Sequence, residues 1–137
     1  MPFVHVHTSR RPELAKRREF GAKLAKAYGE HMETTHRIVN VAFSFYNLGD
    51  IARYDAAGDA AHEMTVVMCA IRAGRAPDAI EALGRAFTSL CAEYLLIDPL
   101  RVAVYVNEHP AYHIYRDGGR APDWSADERA GGSLGDR

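Results

Sequence analysis

The 137-residue sequence lacks several features that identify common classes of protein. Its 17 basic and 18 acidic side chains leave a net charge of −1, which gives no electrostatic basis for binding nucleic acid or an anionic membrane. No apolar run approaches the ~20 residues that span a bilayer. The residues after Met1 contain no apolar core of a secretory signal. We therefore expect a cytoplasmic protein that binds neither nucleic acid nor membrane.

Cysteine is also scarce. Cys69 and Cys91 lie in apolar segments and form no Cys-x-x-Cys pair, so we expect two buried free thiols and neither a disulfide nor a zinc site. Two pairs of histidines could suggest a metal, namely His5 with His7 and His109 with His113. No carboxylate–histidine signature connects these pairs, and no phosphate-binding glycine loop is present. The sequence predicts no metal and no cofactor.

One strand-helix-strand pattern occurs twice, in residues 2–46 and 64–107. The predicted elements are strands 3–8 and 37–46 around a helix over 12–32, and strands 64–71 and 101–107 around a helix over 77–95. Pro12 precedes Pro77 by 65 residues, and Val39 precedes Val104 by the same interval. A shared offset at the start of the helix and the end of the unit favours an internal duplication.

The two units predict an α/β (α+β) fold. Strands joined through a crossover helix are normally parallel and right-handed, so two βαβ units give a four-stranded sheet with two helices on one face. The other face carries Phe3 and alternating apolar residues, and we expect oligomerisation to cover it. A ferredoxin-like dimeric barrel, which would pair the second and third strands antiparallel, is the alternative fold.

Two polar stretches flank the second unit. Residues 47–63 are predicted to be a polar connection. Residues 119–137 are rich in glycine and poor in apolar side chains, which predicts a flexible C-terminal tail with Trp124 as its only anchor. The sequence therefore predicts a single domain over residues 1–118.

Three features could carry chemistry. Pro2 directly follows Met1, and removal of Met1 would leave a secondary amine that acts as a base in an apolar, cationic pocket and otherwise as an acid. Arg72 and Arg75 could converge on one carboxylate, or could be solvated loop residues. Tyr105 has the opposite strand parity to its valine neighbours, so its hydroxyl faces a substrate or a subunit interface.

These features together resemble the tautomerase superfamily. The two βαβ units, Pro2, IRAGR at 71–75 and VYVNEHPA at 104–111 are similar to the cis-3-chloroacrylic acid dehalogenase branch in particular, over about residues 2–118. The resemblance implies a fold like that of 4-oxalocrotonate tautomerase and macrophage migration inhibitory factor. It also implies a homotrimer whose active sites surround each Pro2 and are completed by neighbouring subunits.

The resemblance implies a role for five residues. Pro2 stands at the place of the catalytic proline. Arg72 and Arg75 stand at the place of the arginine pair that binds the substrate carboxylate. Tyr105 matches an active-site tyrosine, and Thr34 matches a threonine that contacts substrate.

Two positions depart from the dehalogenase pattern. Tyr28 replaces a histidine that helps to hold the carboxylate, and Arg116 replaces the glutamate that activates water. Arginine does not deprotonate in proteins, so it cannot activate water, and Asp117 could do so only after a one-residue shift. We therefore expect enol–keto tautomerisation of a small 2-oxo carboxylate, with Arg116 as a third cationic contact.

Two alternatives remain open. One is a hydratase or dehalogenase acting on an unsaturated or 3-halo carboxylic acid, for which Asp117 or Glu108 would have to approach Pro2. The other is a non-catalytic, trimeric carboxylate-binding module, which the departures at Tyr28 and Arg116 would permit.

Overall fold

The computed structural model describes residues 2–58 and 61–128. Its helices are α1 (Leu14–His31) and α2 (Pro77–Leu95), and its strands are β1 (Phe3–Thr8), β2 (Asn40–Phe45), β3 (Ala52–Tyr54), β4 (Ala61–Glu63), β5 (Thr65–Arg72), β6 (Val102–His109), β7 (Tyr115–Arg116) and β8 (Gly119–Arg120). The predicted β1 and α2 have the same bounds in the structure, while the other predicted elements shift by one to three residues. Neither helix is both long and apolar enough to cross a bilayer in the part of the chain described.

The four long strands form one mixed sheet in the order β2-β1-β5-β6. Within each unit the two strands are parallel, as predicted. The two units meet at the centre of the sheet, where β1 and β5 pair antiparallel with Phe3 opposite Ala70. Because β2 pairs with β1 rather than with β5, the ferredoxin-like alternative is wrong.

The core lies between this sheet and the two helices. The fully buried side chains of β1 and β5 alternate along each strand, and those of α2 recur at helical spacing, which confirms the predicted α/β pattern. From α1 the core takes Phe20, Leu24 and Tyr28, of which Phe20 stacks on Tyr94 at 5.1 Å. The packing of both helices onto one face fixes the direction in which every strand residue points.

The opposite face of the sheet is open in the isolated chain. Phe3, Met68 and Tyr105 expose 43%, 37% and 56% of their surface there. His5 and His7 lie on the same face of β1, with ring centroids 3.9 Å apart. The structure therefore confirms that the two helices leave one face of the sheet uncovered, and that Tyr105 points away from them.

The connection over 47–63 contains a short antiparallel hairpin, β3–β4, that the sequence pattern did not predict. Glu63 at its end accepts a hydrogen bond from Arg10 Nε at 2.5 Å, and this hydrogen bond lowers the pKa of the Glu63 carboxyl. The same guanidinium donates to the carbonyls of Leu95 and Leu96. Arg10 therefore ties the hairpin to the C-terminus of α2.

Both thiols are expected to be unreactive in the folded protein. Cys69 and Cys91 are fully buried, and burial raises each thiol pKa to about 12, whereas thiol reagents attack the thiolate. Titration with a chromogenic disulfide at pH 8 should find no fast thiol without denaturant and two with it. The Cys69→Ser variant should show one. A fast-reacting thiol in native protein would contradict the packing of α2 against β5.

Candidate functional site

Arg72, the last residue of β5, binds a carboxylate within its own chain. Its Nη2 donates to both carboxylate oxygens of Glu128, at 2.7 and 2.6 Å, and its Nη1 donates to the carbonyl of Pro122 at 2.8 Å. The two side chains are only 2% and 5% exposed. A buried, charge-assisted contact of this kind is among the strongest polar interactions available to an arginine.

Thr34 supports the same carboxylate from the other side. Its hydroxyl donates to Glu128 Oε2, and the residue is 2% exposed. The position of Thr34 depends on Gly29 in the last turns of α1, because a Cβ at Gly29 would lie 3.1 Å from both Thr34 O and His36 N. Glycine therefore allows the chain after α1 to fold back closely on the helix, which directs the Thr34 hydroxyl toward the Glu128 carboxylate.

Arg75 braces this arrangement and does not contact the carboxylate in the structure. Its Nη1 donates to the carbonyl of Arg72 at 2.8 Å, and its Nε and Nη2 donate to the carbonyl of Met32. Burial lowers the pKa of Arg75 from its ordinary value, yet an arginine remains charged. The two guanidinium groups thus lie together without converging on one carboxylate, and direct carboxylate binding by Arg75 stays a prediction.

The turn between β5 and α2 accommodates Trp124. The ring of Trp124 lies 4.5 Å from the Arg75 guanidinium carbon, and its Nε1 donates to the carbonyl of Glu33 at 3.4 Å. Gly74 has a φ of +120°, and a Cβ there would lie 3.4 Å from the Trp124 ring. The turn therefore combines a backbone conformation that favours glycine with a close approach of the only tryptophan.

Tyr28 lies beneath these groups and is 1% exposed. Burial raises the pKa of its phenol well above the ordinary value, although the charges of Arg75 and Arg72 act in the opposite direction. The phenol is therefore neutral at physiological pH. The structure thus brings together four of the seven predicted site residues, Tyr28, Thr34, Arg72 and Arg75, of which Thr34 and Arg72 contact the carboxylate of Glu128.

Pro2 lies at the same end of the sheet. It is buried, and its carbonyl accepts a hydrogen bond from Asn40 N at 3.1 Å. The antiparallel register of β1 on β5, continued by one residue, places Pro2 beside Ile71, which immediately precedes Arg72. Neighbouring strands are about 5 Å apart, so the chain start and the base of Arg72 are close neighbours.

Tyr105 and Arg116 lie elsewhere in the isolated chain. In the parallel register of β5 and β6, Arg72 lies opposite His109. Tyr105 precedes His109 by four residues, so Tyr105 lies roughly 13 Å from Arg72 along the strand. Arg116 forms an ion pair with Asp117 at 3.3 Å, and its Nε is buried without a hydrogen-bond partner in the described part of the chain. Their roles in substrate binding remain predictions.

A separate groove of about 900 Å³ runs between α2 and β6. Its lining includes Ile80, Arg85 and Val104 and none of the predicted site residues. It is largely open to solvent and lies beside the edge strand β6, whereas the chemistry-bearing side chains lie at the end of β5. The carboxylate cluster, rather than this groove, is therefore the candidate site.

Sequence reasoning missed Glu128. The first ten residues of the predicted tail lie against the domain: β8 pairs with β7, Ala121 is buried, and Trp124 and Glu128 reach the arginines. Residues 129–137 of that tail lie outside the described residues. The single tryptophan signalled an anchor, but nothing in the sequence distinguishes Glu128 from its acidic neighbours Asp123 and Asp127.

Comparisons with known proteins complete the description. No profile of a known family and no curated protein matches the sequence. Among solved structures, the chain is 25% identical to N1, a member of the cis-3-chloroacrylic acid dehalogenase family, with a TM-score of 0.77 over 96% of this chain and 92% of that one. A fused 4-OT, Q0, solved as a wild-type symmetric trimer, is 20% identical with a TM-score of 0.76, covering 87% and 94% of the two chains. Macrophage migration inhibitory factor from Toxoplasma gondii is 12% identical with a TM-score of 0.73, covering 86% and 98%. The chain therefore has the fold of the tautomerase superfamily, which confirms the superfamily resemblance predicted from its motifs.

Proposed function

We propose that the chain is an N-terminal-proline tautomerase that moves a proton between the enol and keto forms of a small 2-oxo carboxylate. The observation that carries this proposal is the buried carboxylate held by Arg72 and Thr34 at the end of the sheet where Pro2 begins. A substrate carboxylate has the same shape and charge as that of Glu128. It can make the same two contacts with Arg72 and the same one with Thr34.

The proposed reaction needs only proton transfer. With Met1 removed and the Pro2 nitrogen neutral, that nitrogen takes the proton from the enol hydroxyl on C2 of the substrate. It then delivers the proton to C3, which gives the keto form. Arg72 holds the carboxylate next to the reacting oxygen and stabilises the charge of the enolate. No cofactor takes part in this scheme.

The surroundings favour such a transfer. Pro2 is buried and Tyr28 is neutral, so the site has few groups that compete for the proton. In an environment shielded from water, the attraction between a guanidinium and a developing enolate is stronger than in solvent. The same burial would disfavour the charged form of the Pro2 amine, which favours the neutral nitrogen that the scheme needs.

The proposal includes a homotrimer. The uncovered face of the sheet provides an apolar surface for association, and the similar fused 4-OT chains Q0 and W0 form symmetric trimers. Tyr105 projects from that face, roughly 13 Å from its own Arg72. We propose that it supplies its hydroxyl to the site of a neighbouring copy.

The geometry gives less support to a hydratase or dehalogenase. Glu108 lies two strand spacings from Pro2, at roughly 10 Å, and Asp117 is paired with Arg116 in the β7–β8 turn. In the isolated chain Glu108 is therefore too far from Pro2 to deprotonate a water there, and Asp117 already has a cationic partner. A non-catalytic carboxylate-binding module is the main alternative function. It differs from the proposed tautomerase because it would bind the substrate without converting it.

Turnover should depend on the substrate carboxylate. The enol form of an aryl-pyruvate should be ketonised by the purified protein, whereas its methyl ester should react with a kcat/KM about 10²-fold lower, because the ester cannot make the charged bidentate contact. Ultraviolet absorbance of the enol follows both reactions. Equal rates for acid and ester would contradict the role of Arg72, and no acceleration of the acid would favour the non-catalytic module.

A further inference from the structure

The carboxylate that occupies the candidate site belongs to the chain itself. We propose that residues 121–128, here called the strap, form an intrasteric inhibitor in which Glu128 occupies the place of the substrate carboxylate. This inference rests on the proposed function for the identity of the ligand, although its main test measures binding rather than turnover. The strap would have to leave Arg72 before a substrate could bind.

The contacts of Glu128 are those of a carboxylate ligand. Both its oxygens accept from Arg72 Nη2, and Oε2 also accepts from the Thr34 hydroxyl. The Glu128 side chain is 5% exposed. A carboxylate ligand and the strap therefore compete for the same donors and cannot occupy them together.

The remainder of the strap is held weakly, as a displaceable segment requires. Five of its eight residues are exposed, and besides the Glu128 side chain only Ala121 is buried. Beyond Glu128, the Pro122 carbonyl accepts from Arg72 and the Ala121 amide donates to the Ile114 carbonyl. The Trp124 ring contacts Arg75, lies close to Gly74 and donates to the Glu33 carbonyl. Apart from the Glu128 ion pair and the Trp124 ring on Arg75, few contacts therefore oppose the opening of this segment.

Exchange of Glu128 for a ligand would conserve the chemistry at Arg72. An incoming carboxylate restores the ion pair and the Thr34 hydrogen bond, so Arg72 is not left buried without a partner. A neutral molecule of similar size cannot do this. The strap therefore favours anionic ligands over neutral ones. It also lowers the apparent affinity for an anionic ligand, in proportion to the fraction of molecules in which the strap is open.

The test compares Glu128→Gln with Asp127→Asn in the full chain. Asp127 is exposed, so its variant removes the same charge from the strap without touching Arg72. Isothermal calorimetry with pyruvate should give a Kd about tenfold or more lower for Glu128→Gln than for wild type, and a wild-type value for Asp127→Asn. Pyruvamide, which carries no carboxylate, should bind none of the three measurably.

Trp124 provides a second readout because it is the only tryptophan in the sequence. Pyruvate should shift its emission to longer wavelength in wild type as the ring leaves Arg75, and Glu128→Gln should begin near that endpoint. If Glu128→Gln fails to fold, Trp124→Leu, which loosens the strap and keeps the ion pair, should also tighten pyruvate binding by calorimetry. Unchanged pyruvate affinity in the folded variant would overturn the proposal.

Steady-state kinetics separates this proposal from the function it rests on. If Glu128 is a competitor, Glu128→Gln lowers KM and leaves kcat unchanged or higher. A fall in kcat with KM unchanged would overturn the strap and make Glu128 part of the reaction. Tighter pyruvate binding together with an unimpaired Pro2→Ala variant would leave the strap standing and refute only the proline mechanism.

Discussion

Replacing Pro2 with alanine is expected to lower kcat for ketonisation by about 10²–10⁴-fold, the usual contribution of a positioned acid–base group. The alanine variant still begins with an amine after removal of Met1. It lacks the ring that fixes the backbone at the chain start, and a primary amine differs in basicity from a secondary one. The loss should fall on kcat, while KM changes little, because Arg72 and Thr34 still bind the carboxylate.

Pro12→Ala is the matched control for this variant. Pro12 lies before α1, outside the carboxylate cluster, so its replacement should leave kcat within about twofold of wild type. Circular dichroism should show the same fold for both variants. A Pro2→Ala protein with wild-type kcat would remove the N-terminal nitrogen from the mechanism.

Replacing Arg72 with alanine is expected to raise KM for a 2-oxo carboxylate by about 10²-fold or more. Truncating one partner of a buried, hydrogen-bonded charge pair typically costs about 2–5 kcal/mol of binding free energy. Arg72→Lys should recover only part of the loss, since a lysine has one ammonium nitrogen where Arg72 uses Nη2 for the carboxylate and Nη1 for the Pro122 carbonyl. The kinetics of the acid and of its methyl ester should converge in the alanine variant.

Arg85→Ala serves as the control for Arg72→Ala. Arg85 pairs with Glu81 one turn away on α2, and both side chains are largely exposed, so this ion pair contributes at most about 1 kcal/mol to stability. KM should not change in that variant. If Arg72→Ala kept a wild-type KM for the acid, the site of carboxylate recognition would lie elsewhere.

The fold was predictable where one periodicity dominated. The α2 stripe of Leu83, Phe87 and Cys91 recurs at helical spacing, and its bounds in the structure are those predicted. The β3–β4 hairpin was missed because its strands have three residues each and carry no clear alternation. The antiparallel contact at the centre of the sheet was also not predicted, because it depends on tertiary packing between two units that are each complete on their own.

The site was predictable in part for the same reason. The three-residue spacing of Arg72 and Arg75 indicates that they are neighbours, whereas Thr34 was expected at the site only from the resemblance to the dehalogenase branch. Only Arg72 contacts the carboxylate, because Arg75 donates instead to backbone carbonyls, including that of Met32. Which carbonyls are available to an arginine depends on the folded chain and cannot be read from the sequence. Glu128 follows the domain by many residues without a periodic pattern, and only the folded chain brings it onto Arg72.

Covalent labelling tests the central claim most directly. The compound 2-oxo-3-pentynoate combines a carboxylate with a ketone-activated alkyne, to which a free amine adds. We expect peptide mass spectrometry to locate one adduct on a peptide that begins at Pro2, with much slower labelling in Arg72→Ala. Retention of Met1, or equal labelling of surface lysines with Pro2 unmodified, would contradict the account.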